Sequence, residues 1–421
     1  MFKKETWPNG LRTIYVPMKN TKTVTVLVLV GVGSRYETKD TNGLSHFLEH
    51  MCFKGTTKRP DRRQIVGGLD AIGAEYNAFT DKEYTGYYVK TDNKHVELAV
   101  DVVSDIFLNS TVPAAEIEKE RGVIIGEIDM YEDMPMRKVG DVFEKLLYPN
   151  HPVGWSIAGE KKVIRSLKRD DFINYRQRYY RAGNTVVIVA GNISLAKARQ
   201  LVKKYFTGIK QGRAAKPLPI REQQKKPALK INYKKTDQTH FILGSRAFDT
   251  FDKRRWPLGL LGVILGGNSS SRLFTKMREE LGLGYYIRAS SGLSTDHGTF
   301  DVSTGVDNRR VEEAVSAVVE ELVRAKKDGV SEKELKDAKE FVRGSTIMGL
   351  ESSDELASFY GSQELITRKI LTAEEKFRML DKVTASDVKR VASDVFQSRK
   401  LNLALIGPVK NSRGLLKLLK L

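Results

Sequence analysis

Val96-Glu97-Leu98-Ala99-Val100 returns 215 residues later as Val311-Glu312-Glu313-Ala314-Val315, and this echo decides the fold. Asp171-Phe172 is answered by Asp387-Val388 at a spacing of 216. The apolar stretch 186–190 that closes in Gly191 is answered, again at 216, by the stretch that closes in Gly407. Three matches in the same order at nearly one spacing mark a duplicated unit of about 200 residues. The expected architecture is therefore two homologous domains built from the same alternation of strands and helices. Domain one is expected over residues 1–207 and domain two over 230–421. Between them, at 208–229, Gly, Pro, Lys and Arg replace apolar periodicity and predict a linker.

Working outward, residues 11–16 and 24–32 are rich in β-branched side chains and predict strands. Gly31-Val32-Gly33-Ser34-Arg35 ends the second of these, and Asn42 is expected to cap a helix over 43–53. Residues 74–89 predict two short strands around Asp81-Lys82. Val96, Ala99, Val100, Val103, Ile106 and Phe107 have helical spacing, and the helical pattern resumes over 116–131. Residues 185–190 predict a buried strand.

The chain of 421 residues carries 71 Lys and Arg against 52 Asp and Glu, a formal charge of +19. That excess attracts anions within about a Debye length, yet no zinc-finger, basic-zipper or aromatic RNA-binding signature accompanies it. A solvated basic surface is expected, with no nucleic-acid partner. The longest apolar run falls far short of the ~20 residues of a spanning helix, so no membrane partner is expected either. The tail Leu415-Leu416-Lys417-Leu418-Leu419-Lys420-Leu421 predicts a short docking helix. One cysteine, Cys52, cannot form an internal disulfide. With no secretory signal at Met1-Phe2-Lys3-Lys4, a cytoplasmic location is expected.

Only the first copy carries a pair of histidines at helical spacing, so the metal chemistry is expected there. In Leu44-Ser45-His46-Phe47-Leu48-Glu49-His50-Met51 the two His stand at i and i+4 and share one helical face. Glu49 lies beside them. Two imidazoles and a carboxylate suit catalytic Zn²⁺ with one position left open for water. The bland alternative is an ordinary helix whose two His happen to share a face. A further ligand must come from elsewhere. Glu120 and Glu127 stand two turns apart amid Val123, Ile124, Ile125 and Ile128, where an unpaired carboxylate would be costly to bury. Glu127 is the expected third ligand and Glu120 a support that orients a ligating imidazole; an exposed acidic face is the alternative.

His46-Phe47-Leu48-Glu49-His50 followed after 76 residues by Glu127 resembles the motif of the pitrilysin (insulinase) family of zinc metallopeptidases, in its short two-domain form. Gly31-Val32-Gly33-Ser34-Arg35, Met51-Cys52-Phe53-Lys54-Gly55-Thr56 and the run Glu127-Ile128-Asp129-Met130-Tyr131 are similar as well. The resemblance implies an α+β fold, each domain a mostly antiparallel sheet packed with helices, and one Zn²⁺ per chain at His46, His50 and Glu127, with Glu49 as general base. It further implies that Ala74-Glu75-Tyr76-Asn77-Ala78-Phe79-Thr80 is an edge strand for peptide substrates. Asn77 and Ala78 would hold substrate backbone and Phe79 a side chain. In the second copy, Arg278 and Tyr285 resemble the pair that holds substrate and stabilises an oxyanion, with Tyr286 as the competitor for that role.

Long members of the family enclose a chamber with four such domains, so a two-domain chain implies pairing, here as a homodimer. Peptide degradation is the expected activity. A specific processing peptidase is one rival reading, although its basic substrates would be repelled by a +19 protein. A non-catalytic core subunit of a larger complex is the other, and it sits poorly with four intact zinc-site residues.

Overall fold

The computed structural model describes residues 2–213 and 215–421, in two compact units that are each discontinuous in sequence.

The first unit comprises Met1–Asp129, Trp155–Leu218 and Thr346–Leu371. Its six strands are β1 (Lys3–Thr6), β2 (Arg12–Pro17), β3 (Thr23–Val30), β4 (Glu75–Thr80), β5 (Thr85–Asp92) and β6 (Thr185–Gly191), in the order β1-β2-β6-β3-β5-β4. β2 and β6 run parallel and the remaining neighbours antiparallel. The all-apolar or β-branched runs belong to the central strands, which must satisfy packing on both faces. β6, Thr-Val-Val-Ile-Val-Ala-Gly, is buried throughout. β4 is more open to solvent and stands at the sheet edge.

Helices α1 (Leu44–Met51), α2 (Arg62–Asp70), α3 (Val96–Asn109) and α4 (Ala114–Glu132) follow in order, and α3 packs on β3 and β5. The opposite face of the sheet is covered by the helix Ser353–Thr367, which belongs to the second half of the sequence. Its Ala357 and Leu365 pack with Ile14, Leu27, Leu29, Val186 and Ile188. At Gly361 a Cβ would lie 2.8 Å from Ile188 Cδ1, so the glycine lets this helix sit close to the sheet. A buried ion pair locks it: Arg12 Nη1 lies 3.3 Å from Glu364 Oε1 and also donates to the Glu364 carbonyl at 2.9 Å, and the partly exposed Lys4 lies 2.7 Å from the other carboxylate oxygen.

The second unit comprises Met130–Gly154, Pro219–Ser345 and Thr372–Leu421. It contains β7 (Ala228–Tyr233), β8 (Gln238–Ala247), β9 (Gly284–Leu293), β10 (Gly298–Asp307) and β11 (Asn402–Gly407), in the order β7-β11-β8-β10-β9. This repeats the order β2-β6-β3-β5-β4, including the single parallel pair, β7 with β11. Here too a helix comes from the other half of the sequence. In α5 (Pro135–Leu147), Val139, Val142, Phe143 and Leu147 pack with Ile242, Ala404 and Ile406. The expected C-terminal helix forms over Ser412–Leu418, with Leu415 and Leu419 buried in this unit's core. Among the described residues, no helix is long and apolar enough to cross a membrane.

Candidate metal centre

The expected helix over 43–53 is α1, but Asn42 does not cap it. The N-cap is Gly43, at φ 96° in the left-handed region where a Cβ would meet the Ala158 carbonyl at 2.7 Å. The helix's free N–H groups are met instead by a buried carboxylate. Glu37 Oε2 accepts from Gly43 N at 2.8 Å and Glu37 Oε1 from Ser45 N at 2.7 Å. Asn42 serves this carboxylate, donating to Oε2 at 3.0 Å and to the Ser156 carbonyl at 3.0 Å. An anion is better matched to a helix N-terminus than an amide is, which explains the exchange of roles. Burial pushes the Glu37 carboxyl up to about 7, against the bonds from Ser45, Gly43 and Asn42 that hold it down.

Phe47, Leu48 and Met51 are fully buried and anchor α1, which turns His46 and His50 to the same side. Their rings meet edge to face with centroids 4.7 Å apart. Glu127 of α4 reaches both: its Oε2 lies 3.5 Å from His46 Nε2 and 3.7 Å from His50 Nε2. These separations are long for hydrogen bonds but suit atoms that share an ion. Ligands ~2.0–2.2 Å from a tetrahedral zinc stand about 3.3 Å from one another. One ligand atom from each of the three residues falls within 4.8 Å of the other two.

The electrostatics fit the same donor set. Burial pushes His46 down to about 4, helped by the neighbouring His50 and opposed by Glu127, which leaves its imidazole neutral near pH 7. Its Nδ1 is buried with no hydrogen-bond partner. For His50, burial disfavours the charged form, but the bond to Glu120 and the charges of Glu49, Glu120 and Glu127 outweigh it and raise its pKa. Surroundings that favour a proton there favour a dication in its place.

Two turns before Glu127, Glu120 is 5% exposed. His50 Nδ1 lies 2.8 Å from Glu120 Oε1, an arrangement that leaves His50 Nε2 facing Glu127. Lys54 holds the other oxygen of Glu120. Glu49 stands apart from the converging trio. It is nearly buried, and Thr80 Oγ1 donates to its Oε2 at 2.6 Å. Burial raises the Glu49 carboxyl above its ordinary range, and the Thr80 bond opposes that.

Asn77, Ala78 and Phe79 all lie on the edge strand β4. Ala78 pairs with Tyr87, and Phe79 pairs with Gly86. Asn77 Oδ1 accepts from its neighbour's Ala78 N at 2.9 Å. The Phe79 ring sits over Gly86 and edge-on to Tyr84, on the sheet face that carries the helix Ser353–Thr367.

In the second unit, Arg278 sits on a π-helical turn, Thr275–Glu280, and its Nη1 donates to the Tyr285 carbonyl at 2.7 Å. The Tyr285 side chain is 76% exposed. Tyr286 is engaged elsewhere: its hydroxyl lies 3.0 Å from His240 Nδ1, and burial pushes its phenol up to about 12.

Glu37, Lys54 and Thr80 were not expected as parts of this site. Thr80 ends a motif already singled out, and Lys54 follows His50 by four residues. Glu37 has no periodic relation to α1, and nothing in the sequence pattern points to it.

The family model described as Insulinase (Peptidase family M16) matches residues 12–161, and the one described as Peptidase M16 inactive domain matches residues 166–342. The chain is 36% identical over 412 residues to the zinc protease YmxG of Bacillus subtilis, covering 98% of this chain and 99% of the relative. A zinc protease of Streptomyces coelicolor is 34% identical, with 98% and 91% covered. Among solved structures, a protease from Helicobacter pylori superposes with a TM-score of 0.92 at 24% identity, over 97% of this chain and all of that one. The periplasmic protease PqqL of Escherichia coli has a TM-score of 0.82 at 19% identity, and 99% of this chain spans 49% of it.

Proposed function

From the premise that the chain belongs to the insulinase family of peptidases, M16, we propose that it is a zinc metalloendopeptidase cleaving oligopeptides and unstructured segments. The observation that carries this reading is the convergence of His46 Nε2, His50 Nε2 and one oxygen of Glu127, with the Glu49 carboxylate alongside. His46, His50 and Glu127 would hold one Zn²⁺ per chain. Bound there, zinc supplies Lewis acidity toward a carbonyl oxygen and toward water.

The protein's own groups account for the remaining steps. Glu49 takes a proton from water and returns it to the departing amine, a transfer suited to a carboxyl whose burial has raised its proton affinity. Glu120 holds the His50 ring through Nδ1. Substrate backbone adds to the free edge of β4 beside Asn77 and Ala78, with Phe79 near a side chain. Arg278 and Tyr285 supply donors to the oxyanion; the exposed Tyr285 is the better placed of the two tyrosines because Tyr286 is bonded to His240.

We propose further that 1–207 and 230–421 are homologous halves of the sequence, the first carrying the zinc trio and the second the Arg/Tyr pair, with 208–229 between them, and that each half lends one helix to the other's compact unit. Two chains pair as a homodimer around the substrate. A single buried thiol, Cys52, suits a reducing cytoplasm.

The test is the metal content of the purified protein together with cleavage of a quenched random-peptide library. One zinc per chain is expected, with cleavage abolished by chelation and restored by zinc. Zinc bound without cleavage would favour the non-catalytic subunit, and cleavage unaffected by metal removal would overturn the reading.

A further inference from the structure

β4 has β5 on one side only, so its outer edge is open to a peptide. Side chains alternate along it, which places Tyr76, Ala78 and Thr80 on the face turned toward α1. At Thr80 this face touches the base directly, through the 2.6 Å bond from Oγ1 to Glu49 Oε2. Among the described residues, Thr80 is the one hydrogen-bond donor to that nearly buried carboxylate.

The turn that follows Thr80 is tied down. Ser34 N donates to the Asp81 carbonyl at 3.1 Å, Arg35 N to the Lys82 carbonyl at 3.0 Å, and the buried Arg35 guanidinium pairs with Glu83. Thr80 is therefore the junction between a fixed turn and an open edge. A β-branched side chain in a strand has few χ1 choices, so its hydroxyl is held in place before substrate arrives.

We propose that Thr80 is a positioning residue that ties the peptide-docking edge of β4 to Glu49. It rests on the peptidase reading given above. The hydroxyl fixes one oxygen of the base and leaves the other to receive the proton. A peptide that adds to the edge steadies the strand that carries this hydroxyl. Thr80 itself exchanges no proton with substrate; its effect is on the placement of Glu49.

The test compares Thr80→Val, which keeps the β-branched shape and removes the hydroxyl, with Thr80→Ser, which restores it. Loss of a hydrogen bond to a charged group corresponds to a fall in kcat of about 10- to 100-fold for Thr80→Val. Its KM should stay within ~2-fold of parental because the main-chain edge is intact. Zinc content should be unchanged, and so should the affinity for a labelled peptide measured in a Glu49→Gln background. Thr80→Ser should recover most of kcat.

An unchanged kcat in Thr80→Val would overturn the proposal. So would a raised KM at constant kcat, which would place the hydroxyl in the service of the strand alone. Loss of zinc would do the same, since Thr80 would then support the metal centre, as would failure of Thr80→Ser to recover kcat. If the parental zinc-loaded protein cleaves no peptide, the peptidase reading falls and this proposal with it. If the parent cleaves and Thr80→Val matches it, only this proposal falls.

Discussion

Glu49 and Glu127 are two carboxylates beside the same imidazoles, but their surroundings differ. Glu127 has an oxygen between the two Nε2 atoms, whereas Glu49 is nearly buried and bonded to Thr80. Glu49→Gln should therefore retain zinc and lose turnover by at least about 100-fold, as expected when a proton-transfer group is removed. Glu127→Gln should lose zinc. Metal analysis and turnover on both variants decide the matter; a Glu49→Gln protein that cleaves at the parental rate would show the base to be misassigned. Glu37 offers a second test. Its carboxyl is raised to about 7 in the folded protein, above its ordinary value of 4.5. A group of that kind contributes stability in full below the unfolded value, and the contribution is lost as pH rises through the folded one. Glu37→Gln removes the titration along with part of the cap. Its unfolding midpoint should lie below parental at pH 4.5, and the deficit should narrow toward pH 7. A widening deficit would mean that the donors from Ser45, Gly43 and Asn42 outweigh burial.

At the scale of elements, each sheet takes one covering helix from the other half of the sequence. In the first unit the helix Ser353–Thr367 depends on close approach at Gly361, where Ile188 Cδ1 and Leu29 Cδ1 leave no space for a side chain. Gly361→Val should cost about 1–3 kcal/mol of stability by overpacking, read as a shift in the chemical unfolding midpoint. An unchanged midpoint would show that the helix shifts outward freely. The edge strand β4 has the opposite character. Its side chains are exposed or half-buried and its register with β5 is held by main-chain pairing from Glu75↔Lys90 to Thr80↔Thr85.

For the molecule as a whole, the duplication separates the two sets of proposed catalytic residues. The zinc trio and Glu49 belong to one unit, Arg278 and Tyr285 to the other. On the homodimer proposal, the two sets that act on one substrate come from different chains. Glu49→Gln and Tyr285→Phe chains should each be inactive alone. Mixed and re-equilibrated in equal amounts, about half the dimers become heterodimers with one intact site each. Activity should recover to roughly a quarter of parental, by the mass action of subunit exchange. Demonstrated exchange without recovery would place both sets in the service of one chain's site.

What the sequence determined by itself was local or periodic. The His46/His50 spacing needs only a helix to bring both imidazoles to one side, and Glu120/Glu127 needs only two further turns. β-branched runs at β3 and β6 identify central strands because such runs suit burial on both faces. The repeat of motifs at 215–216 residues identifies the duplicated architecture, and the matching strand orders follow it. Tertiary structure alone decided which partner each face meets. The pattern of α5 shows that it has an apolar side, and that of the helix Ser353–Thr367 shows the same, but periodicity carries no label for the sheet to be covered. The cap on α1 is a further case: Asn42 has the right residue type one position ahead of the N-cap Gly43, and folding brings the Glu37 carboxylate to the helix's free N–H groups. The Thr80 bond to Glu49 and the Lys54 contact with Glu120 arise in the same way, from side chains distant in sequence or on different elements. Sequence spacing governs what one helix or strand presents, and only the packed chain brings two such faces within hydrogen-bonding distance.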